Sequence, residues 1–191
     1  MTDFILASQS PRRRDLLAQI GYVPSQVVPA DIDETPQAKE LPRPYAIRMA
    51  VEKAEAVAAL YPNATLLAGD TVVAAGRRIL GKAEDAAAAE KMLRLLAGRR
   101  HRVISAIAVK QGEKLWQRCV VSIVKIRPLS DAEVADYLKT GEWQGKAGGY
   151  ALQGRAAAFI PWVQGSYSSI VGLPLAETHN VLRAAGVSQA T

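Results

Sequence analysis

Thr65-Leu66-Leu67-Ala68-Gly69-Asp70-Thr71-Val72-Val73-Ala74 is apolar on both alternations, and that decides the fold. A strand with one wet face alternates apolar and polar residues, whereas a strand apolar on both faces is covered on both. One acid, Asp70, interrupts the run. Burying an unpaired carboxylate is costly, so Asp70 has to meet a metal, a lysine or water in a cleft. Gly69 beside it leaves room for a ligand or another backbone to approach. The competing reading is a core acid satisfied by a salt bridge.

Working outward, strands and helices alternate. Residues 4–7 form a strand, 11–20 a helix stopped by Gly21, and 26–28 a short strand before the polar loop 31–36. Residues 44–60 have helical periodicity, with Ile47, Val51, Ala54 and Ala58 on one stripe. After the central strand, Gly76-Arg77-Arg78 turns into a second short strand, and 86–97 is a helix closed by Gly98. Strands 102–110 and 115–127 pair as a hairpin around Gln111-Gly112-Glu113. Ser130 and Glu133 make a capping box for a helix reaching about Leu138. The Gly-rich stretch 141–165 is irregular apart from a strand at 157–161, and 173–185 is the last helix. This order predicts an α/β fold, a mixed twisted sheet with flanking helices, over a single domain spanning residues 1–191.

The chain has 191 residues, 49% of them hydrophobic, enough for a sizeable core in one domain. No apolar stretch is long enough to span a bilayer, and Met1-Thr2-Asp3 has an acid where a signal peptide is basic. A cytoplasmic location is therefore expected. The single cysteine, Cys119, excludes an internal disulfide and a thiolate metal cluster, and its strand-like surroundings make it a small hydrophobe. Net charge is +6, which admits nucleic acid, free nucleotides or other anions as partners. Trp116, Trp143 and Trp162 are not interleaved with basic residues, which argues against nucleic acid. Arg99-Arg100-His101-Arg102 follows the glycine that ends a helix, where positive charge complements the dipole and needs no ligand.

A second basic cluster stands in the wrong place. In Ser8-Gln9-Ser10-Pro11-Arg12-Arg13-Arg14, Ser10 suits the N-cap and Pro11 the first helical position. That end of a helix is already positive, so each arginine in the first turn costs a few tenths to ~1 kcal/mol. A polyphosphate bound there removes the conflict, gripped by the helix start, the Ser8 and Ser10 hydroxyls and the Arg12 and Arg13 guanidinium groups. Glu34 in the acidic loop, Lys53 near the apolar stripe of its helix, and Lys82 after Gly81 complete the candidates. A carboxylate pair such as Glu34 and Asp70 suits Mg²⁺ or Mn²⁺, which take hard oxygen ligands and keep waters for substrate phosphates. Taken singly, Glu34 reads as a loop acid and Lys53 or Lys82 as a solvated charge. No histidine or cysteine has metal-ligand spacing; His101 and His179 are isolated and read as structural.

These segments together resemble the Maf family of nucleotide pyrophosphatases, of inosine-triphosphatase-like fold. The similarity runs through 6–13, Asp33-Glu34, Glu52-Lys53-Ala54, Gly69-Asp70-Thr71-Val72-Val73, Gly81-Lys82, 146–154, Gly165-Ser166-Tyr167 and 171–175. The resemblance implies two lobes around a central cleft. It also implies hydrolysis of a nucleoside triphosphate to monophosphate and pyrophosphate with a divalent metal cation, as in nucleotide-pool cleansing. It makes Asp70 the general base, and lines the phosphate and metal site with Ser8, Arg12, Glu34, Lys53 and Lys82. A carboxylate bound tightly to a metal is a poorer base, so the base and ligand roles of Asp70 compete. Arg13, Thr71 and Gln153 match the branch acting on dTTP and UTP; the 7-methyl-GTP branch carries an aromatic where Arg13 stands and an acid near Gln153. The Gln153 amide can match N3–H and O4 of uracil or thymine, although the same amide flipped suits cytosine. Gln9 stands where the family commonly has glycine or threonine. A closed homodimer is the expected assembly.

Overall fold

The central strand keeps the bounds its sequence dictates. In the computed structural model, which describes residues 3–190, β3 covers Thr65–Ala75 and is buried almost throughout. It lies inside a seven-stranded sheet ordered β2-β1-β3-β5-β6-β7, with β4 also on β3. The other strands are β1 Phe4–Ala7, β2 Gln26–Val27, β4 Arg78–Leu80, β5 Arg100–Gln111, β6 Lys114–Lys125 and β7 Trp162–Gln164. The helices are α1 Pro11–Gln19, α2 Pro42–Ala58, α3 Ala86–Leu96, α4 Asp131–Lys139, α5 Tyr167–Val171 and α6 Leu175–Ala184. β1 runs parallel to β2 and β3, and every other pairing is antiparallel. The sheet is mixed, as expected.

The register of β3 creates a gap. β5 pairs with one edge of it from Thr65 to Ala74. On the other edge β1 ends at the Ala7↔Ala68 pair and β4 begins only at Val73↔Leu80. Gly69 to Val72 therefore has no strand partner on that side among the described residues. β1 ends beside this gap and turns into α1, which places a helix N-terminus there.

Both faces of the sheet are covered. On one, Met49, Ala50, Ala54 and Val57 of α2 pack on Leu66, Ala68, Val72 and Ala74 of β3 and on Ile104 and Ala106 of β5. Leu66 is completely buried, and truncating such a side chain costs about 2–5 kcal/mol. The opposite face divides into two clusters. Leu67, Ile107 and Val109 meet Leu16 and Leu17 of α1 and Leu182 of α6. Val73 and Val103 meet Leu93 and Leu96 of α3 and Val134 and Tyr137 of α4. Gly69 and Thr71 sit between these two clusters on β3, so the gap and the division between lobes coincide.

Several expectations need correction. The inward stripe of α2 is Ala46, Met49, Ala50, Lys53, Ala54 and Val57; Ile47, Val51 and Ala58 are only partly buried at its margin. Ala54 lies on the stripe as expected, while the other three expected positions fall beside it because Lys53 occupies its middle. The helix also starts earlier, at Pro42, since Pro42 and Pro44 both fall in the first turn, where a missing N–H costs nothing. No strand covers 157–161. The alanine-rich Arg155–Phe159 winds into a 3₁₀ turn, and pairing starts after Pro161, with Trp162 opposite Lys125. α5 was not foreseen; Ser166 caps it by accepting the Ser169 N–H at 3.2 Å. The capping box at Ser130 and Glu133 is present as read.

The basic cluster at 99–102 is structural, but not as a helix cap. Arg100 stacks over the Trp162 ring at 4.6 Å, and Arg102 donates to the Gly76 carbonyl. His101 is buried with Nε2 2.7 Å from the Tyr150 hydroxyl, and His179 Nδ1 is 3.1 Å from the Tyr22 hydroxyl. Cys119 lies half-buried beside the α2 cluster, and burial pushes its thiol pKa up. Among the described residues, no helix is long and apolar enough to cross a membrane.

Candidate active site

Asp70 points from β3 toward α2 and is 8% exposed. The lysine in the middle of the α2 stripe meets it: Lys53 Nζ is 2.8 Å from Asp70 Oδ1. The same ammonium is 3.1 Å from Glu34 Oε1. The structure thus gives Asp70 both of its sequence-level alternatives at once, an ion pair and a place in a cleft. Those two contacts, 2.8 and 3.1 Å long, put the carboxylates within about 6 Å of each other. Two carboxylates on one ammonium leave the trio with net negative charge, and Asp70 Oδ2 and Glu34 Oε2 have no partner among the described residues. Hard oxygens with spare lone pairs fit Mg²⁺ or Mn²⁺. No third His, Cys, Asp or Glu joins them among the described residues, so a cation held there would take its other ligands from outside these side chains.

The loop that brings Glu34 has no regular structure and is strapped to α2 at two points. The buried Tyr45 hydroxyl donates to the Glu34 carbonyl at 2.7 Å. Arg48 donates to the Thr35 carbonyl at 3.2 Å and grips both oxygens of Glu40 at 2.7 and 2.8 Å. Neither residue was singled out from the sequence, since a tyrosine and an arginine on a helix carry no local signal of what they will hold.

Across the cleft lies the start of α1. Ser8 is buried, and its hydroxyl accepts from the Ser10 N–H at 3.2 Å. Ser10 stands at the N-cap with extended backbone, but its own hydroxyl makes no capping bond. The expected cap is therefore open, and that hydroxyl lines the cleft. Arg12 is half-buried on the cleft wall with no ion pair or side-chain hydrogen bond to the described residues, and burial lowers its pKa. Lys146 joins it; burial, then the Arg12 charge, lower its pKa. Lys82 stands exposed at the rim, held by a lone bridge to Ala147 and by the Gly148 N–H on the Gly81 carbonyl at 3.1 Å. Gly148 is required there: its φ is +71°, and a Cβ would fall 2.9 Å from a Val73 methyl. Three cations without acid partners, sharing a hollow with a helix N-terminus, are chemically suited to an anion.

Arg13 lines the cleft too, but its guanidinium is already engaged. It turns beneath the cleft, donating from Nε to the Gly172 carbonyl at 3.0 Å and from Nη1 to Ser8 Oγ at 2.9 Å. Nη2 reaches Thr71 Oγ1 at 3.4 Å. Thr71 Oγ1 lies 2.8 Å from Ser105 Oγ, which donates to the Ser169 carbonyl at 2.6 Å. Arg13 and Thr71 are thus tied into one network, and both still line the hollow. Arg14 faces solvent.

A family model described as Maf-like protein matches residues 3–185. The chain belongs to the Maf family. It is 61% identical over 183 residues to a dTTP/UTP pyrophosphatase of Cereibacter sphaeroides, covering 96% of this chain and 95% of that one. It is 62% identical to a protein of the same name from Rhodospirillum rubrum, over 95% and 87% of the two chains. For the Caulobacter vibrioides protein of that name the identity is 53%, over 95% of each. Among solved structures, that of a HAM1 protein from Coxiella burnetii superposes with a TM-score of 0.53 over 96% of this chain and all of the other. At 18% identity that likeness speaks for the fold alone, and it bears out the fold expected.

In this Maf-family chain the ten candidates named from the sequence all line one hollow of about 410 Å³: Ser8, Ser10, Arg12, Arg13, Glu34, Lys53, Asp70, Thr71, Lys82 and Gln153. Gln153 sits on an exposed turn at its edge with no side-chain hydrogen bond to the described residues, so it does not brace its own loop. Sequence reasoning missed Lys146, although it quoted the segment that carries it. It also missed Ser105, whose small polar side chain in a long strand gave no sign of a buried network.

Proposed function

We propose that this Maf-family cleft hydrolyses dTTP and UTP to the monophosphate and pyrophosphate. One observation carries the reading: an acidic trio, Glu34–Lys53–Asp70, faces three unpaired cations and a helix N-terminus across a single hollow. Relatives 53–62% identical bear the name dTTP/UTP pyrophosphatase, which supports it.

Water attacks the α-phosphorus, and the free Oδ2 of Asp70 takes its proton. The bond from the α-phosphorus to the α,β-bridging oxygen breaks, and pyrophosphate leaves with the electron pair. Arg12, Lys82, Lys146 and the α1 N-terminus take up the charge developing on the leaving group, so catalysis is mostly positioning and electrostatics. Lys53 anchors Oδ1 of Asp70 and thereby directs Oδ2 at the hollow. Glu34, with Asp70 beside it, would hold a divalent cation, Mg²⁺ or Mn²⁺, which when bound would supply charge neutralisation at the phosphates. Gln153 reads the pyrimidine edge, while Arg13 and Thr71 shape the floor beneath it.

The chain works as one domain, since a single sheet runs through all its lobes. Nucleoside triphosphates are its partners; a closed homodimer and a cytoplasmic location complete the reading. Pyrophosphate release from dTTP, UTP, dCTP, GTP and 7-methyl-GTP, each with Mg²⁺ or Mn²⁺, tests it. Turnover of dTTP and UTP above the others is expected; equal turnover of all five, or none, sinks it.

A further inference from the structure

Gln153 is the one site residue on an exposed turn, yet the backbone around it is fastened at both sides to the same helix end. On one side the Ala151 N–H donates to the hydroxyl of Tyr137, a buried residue of α4, at 3.1 Å. On the other the Arg155 N–H donates to Glu142 Oε2 at 2.7 Å. Glu142 is itself fixed just past α4, its N–H on Thr140 Oγ1 at 3.1 Å and Thr140 Oγ1 on the Tyr137 carbonyl at 2.7 Å. Gly154 N–H closes the turn on the Ala151 carbonyl at 3.0 Å. The Glu142 carboxylate lies so close over Gly154 that a Cβ there would fall 2.8 Å from its Cδ and nearer still to Oε2. A glycine pressed beneath a carboxylate, and two side chains whose acceptors both serve this turn, fix its backbone on either side of Gln153.

We infer that Tyr137 and Glu142 are positioning residues that set base selectivity by fixing where Gln153 presents its amide. This rests on the reading of Gln153 as the group facing the pyrimidine. An amide can serve uracil, or, reversed, cytosine. With the backbone held at Ala151 and Arg155, only the rotors of the Gln153 side chain remain free. A loosened turn lets the amide approach from more directions, and the reversed pattern of cytosine becomes as easy to meet. The Glu142 charge also opposes the lowering of the Lys146 pKa.

The test is steady-state pyrophosphate release from dTTP and dCTP by the full chain, with Glu142→Ala, Glu142→Gln and Tyr137→Phe in both the parent and a Gln153→Ala background. Glu142→Ala should raise KM for dTTP about tenfold with kcat within about twofold, and reduce discrimination against dCTP by a similar factor. Glu142→Gln, which keeps an acceptor oxygen, should restore most of it. Tyr137→Phe, which removes one oxygen and keeps the packing, should give about a threefold change in the same direction. In the Gln153→Ala background neither change should matter further, because the cycle isolates coupling between clamp and glutamine. Should Glu142→Ala fail to fold by circular dichroism, Tyr137→Phe alone decides. Undiminished discrimination, or equal losses in both backgrounds, overturns the inference while leaving the pyrophosphatase reading intact. A parent that releases no pyrophosphate from dTTP or UTP overturns both.

Discussion

Asp70 and Thr71 are neighbours on β3, point to opposite faces of the sheet, and have opposite fates. On the α2 face, Asp70 shares one ammonium with Glu34 and keeps an oxygen free. On the other face, Thr71 is locked among Arg13, Ser105 and the Gly172 carbonyl, each contact within 3.4 Å. One face is left chemically unfinished; the other is closed into a network that links β3 to α1, β5 and α5. A buried charge with spare capacity is expensive to keep unless something comes to use it. A satisfied network does the opposite work of rigidifying the floor on which that something rests. The difference separates chemistry from scaffold within two residues.

The sharpest attempt to break this contrast is Asp70→Asn. The amide is nearly isosteric but cannot take a proton, so kcat for dTTP should fall about 10³-fold with the fold unchanged by circular dichroism. An Asp70→Asn protein hydrolysing as fast as its parent would remove the acidic face from the chemistry. Next is Lys53→Met, which leaves Asp70 and Glu34 without their shared cation. Breaking a buried pair of this kind should cost about 2–4 kcal/mol, softened by the water in the cleft. Excess Mg²⁺ or Mn²⁺ should restore part of that loss in a thermal melt, because a second cation then replaces the first. A Lys53→Met protein as stable as the parent, with no response to metal, would mean the trio holds no strain.

The scaffold face can be probed by pH. His101 lies on β5 on the same side as Thr71 and Ser105, and burial pulls its pKa from 6.5 down to about 4. In the unfolded chain the imidazole takes its proton near 6.5. Between those two values the unfolded state binds more protons, so the contribution is complete above about pH 6.5 and is lost as pH falls toward 4. It should amount to about 3 kcal/mol. His101→Gln should flatten that part of the melting-temperature profile; an unchanged profile would show that this face tolerates charge.

Residue types carried most of this molecule from sequence to site. An acid inside a doubly apolar strand, and arginines on the wrong end of a helix, are conflicts visible in one dimension, and their resolution is the cleft. The strand at Thr65–Ala75 and the capping box at Ser130 were legible because local rules and tertiary context agree there. The segment from 153 to 172 was not. Its 3₁₀ turn, short β7 and α5 depend on pairing with β6 and on contacts with β5, which no local pattern encodes. The contacts that hold Arg13 were hidden for the same reason. Its guanidinium meets the Gly172 carbonyl, 159 residues away in the chain.

The subtlest test compares Arg12 with Arg13, which are adjacent in sequence and divided by the same contrast. Arg12 belongs to the unfinished side: no described residue pairs with it, and it stands in the first turn of α1, where a cation is unfavourable. Arg12→Ala should therefore leave the melting temperature unchanged or slightly raised, while KM for dTTP increases about tenfold and added pyrophosphate no longer stabilises the fold as strongly. Arg13 belongs to the scaffold. Removing it strips donors from the Gly172 carbonyl, Ser8 and Thr71 together, so Arg13→Ala should lose about 2 kcal/mol of stability before any kinetic effect is considered. Arg13→Lys should recover little of it, since an ammonium cannot span three acceptors held by a planar fork. If the two alanine variants behave alike in both melt and kinetics, the division drawn through β3 does not extend to α1. If they part as described, a single step along the chain separates an arginine that binds from one that builds.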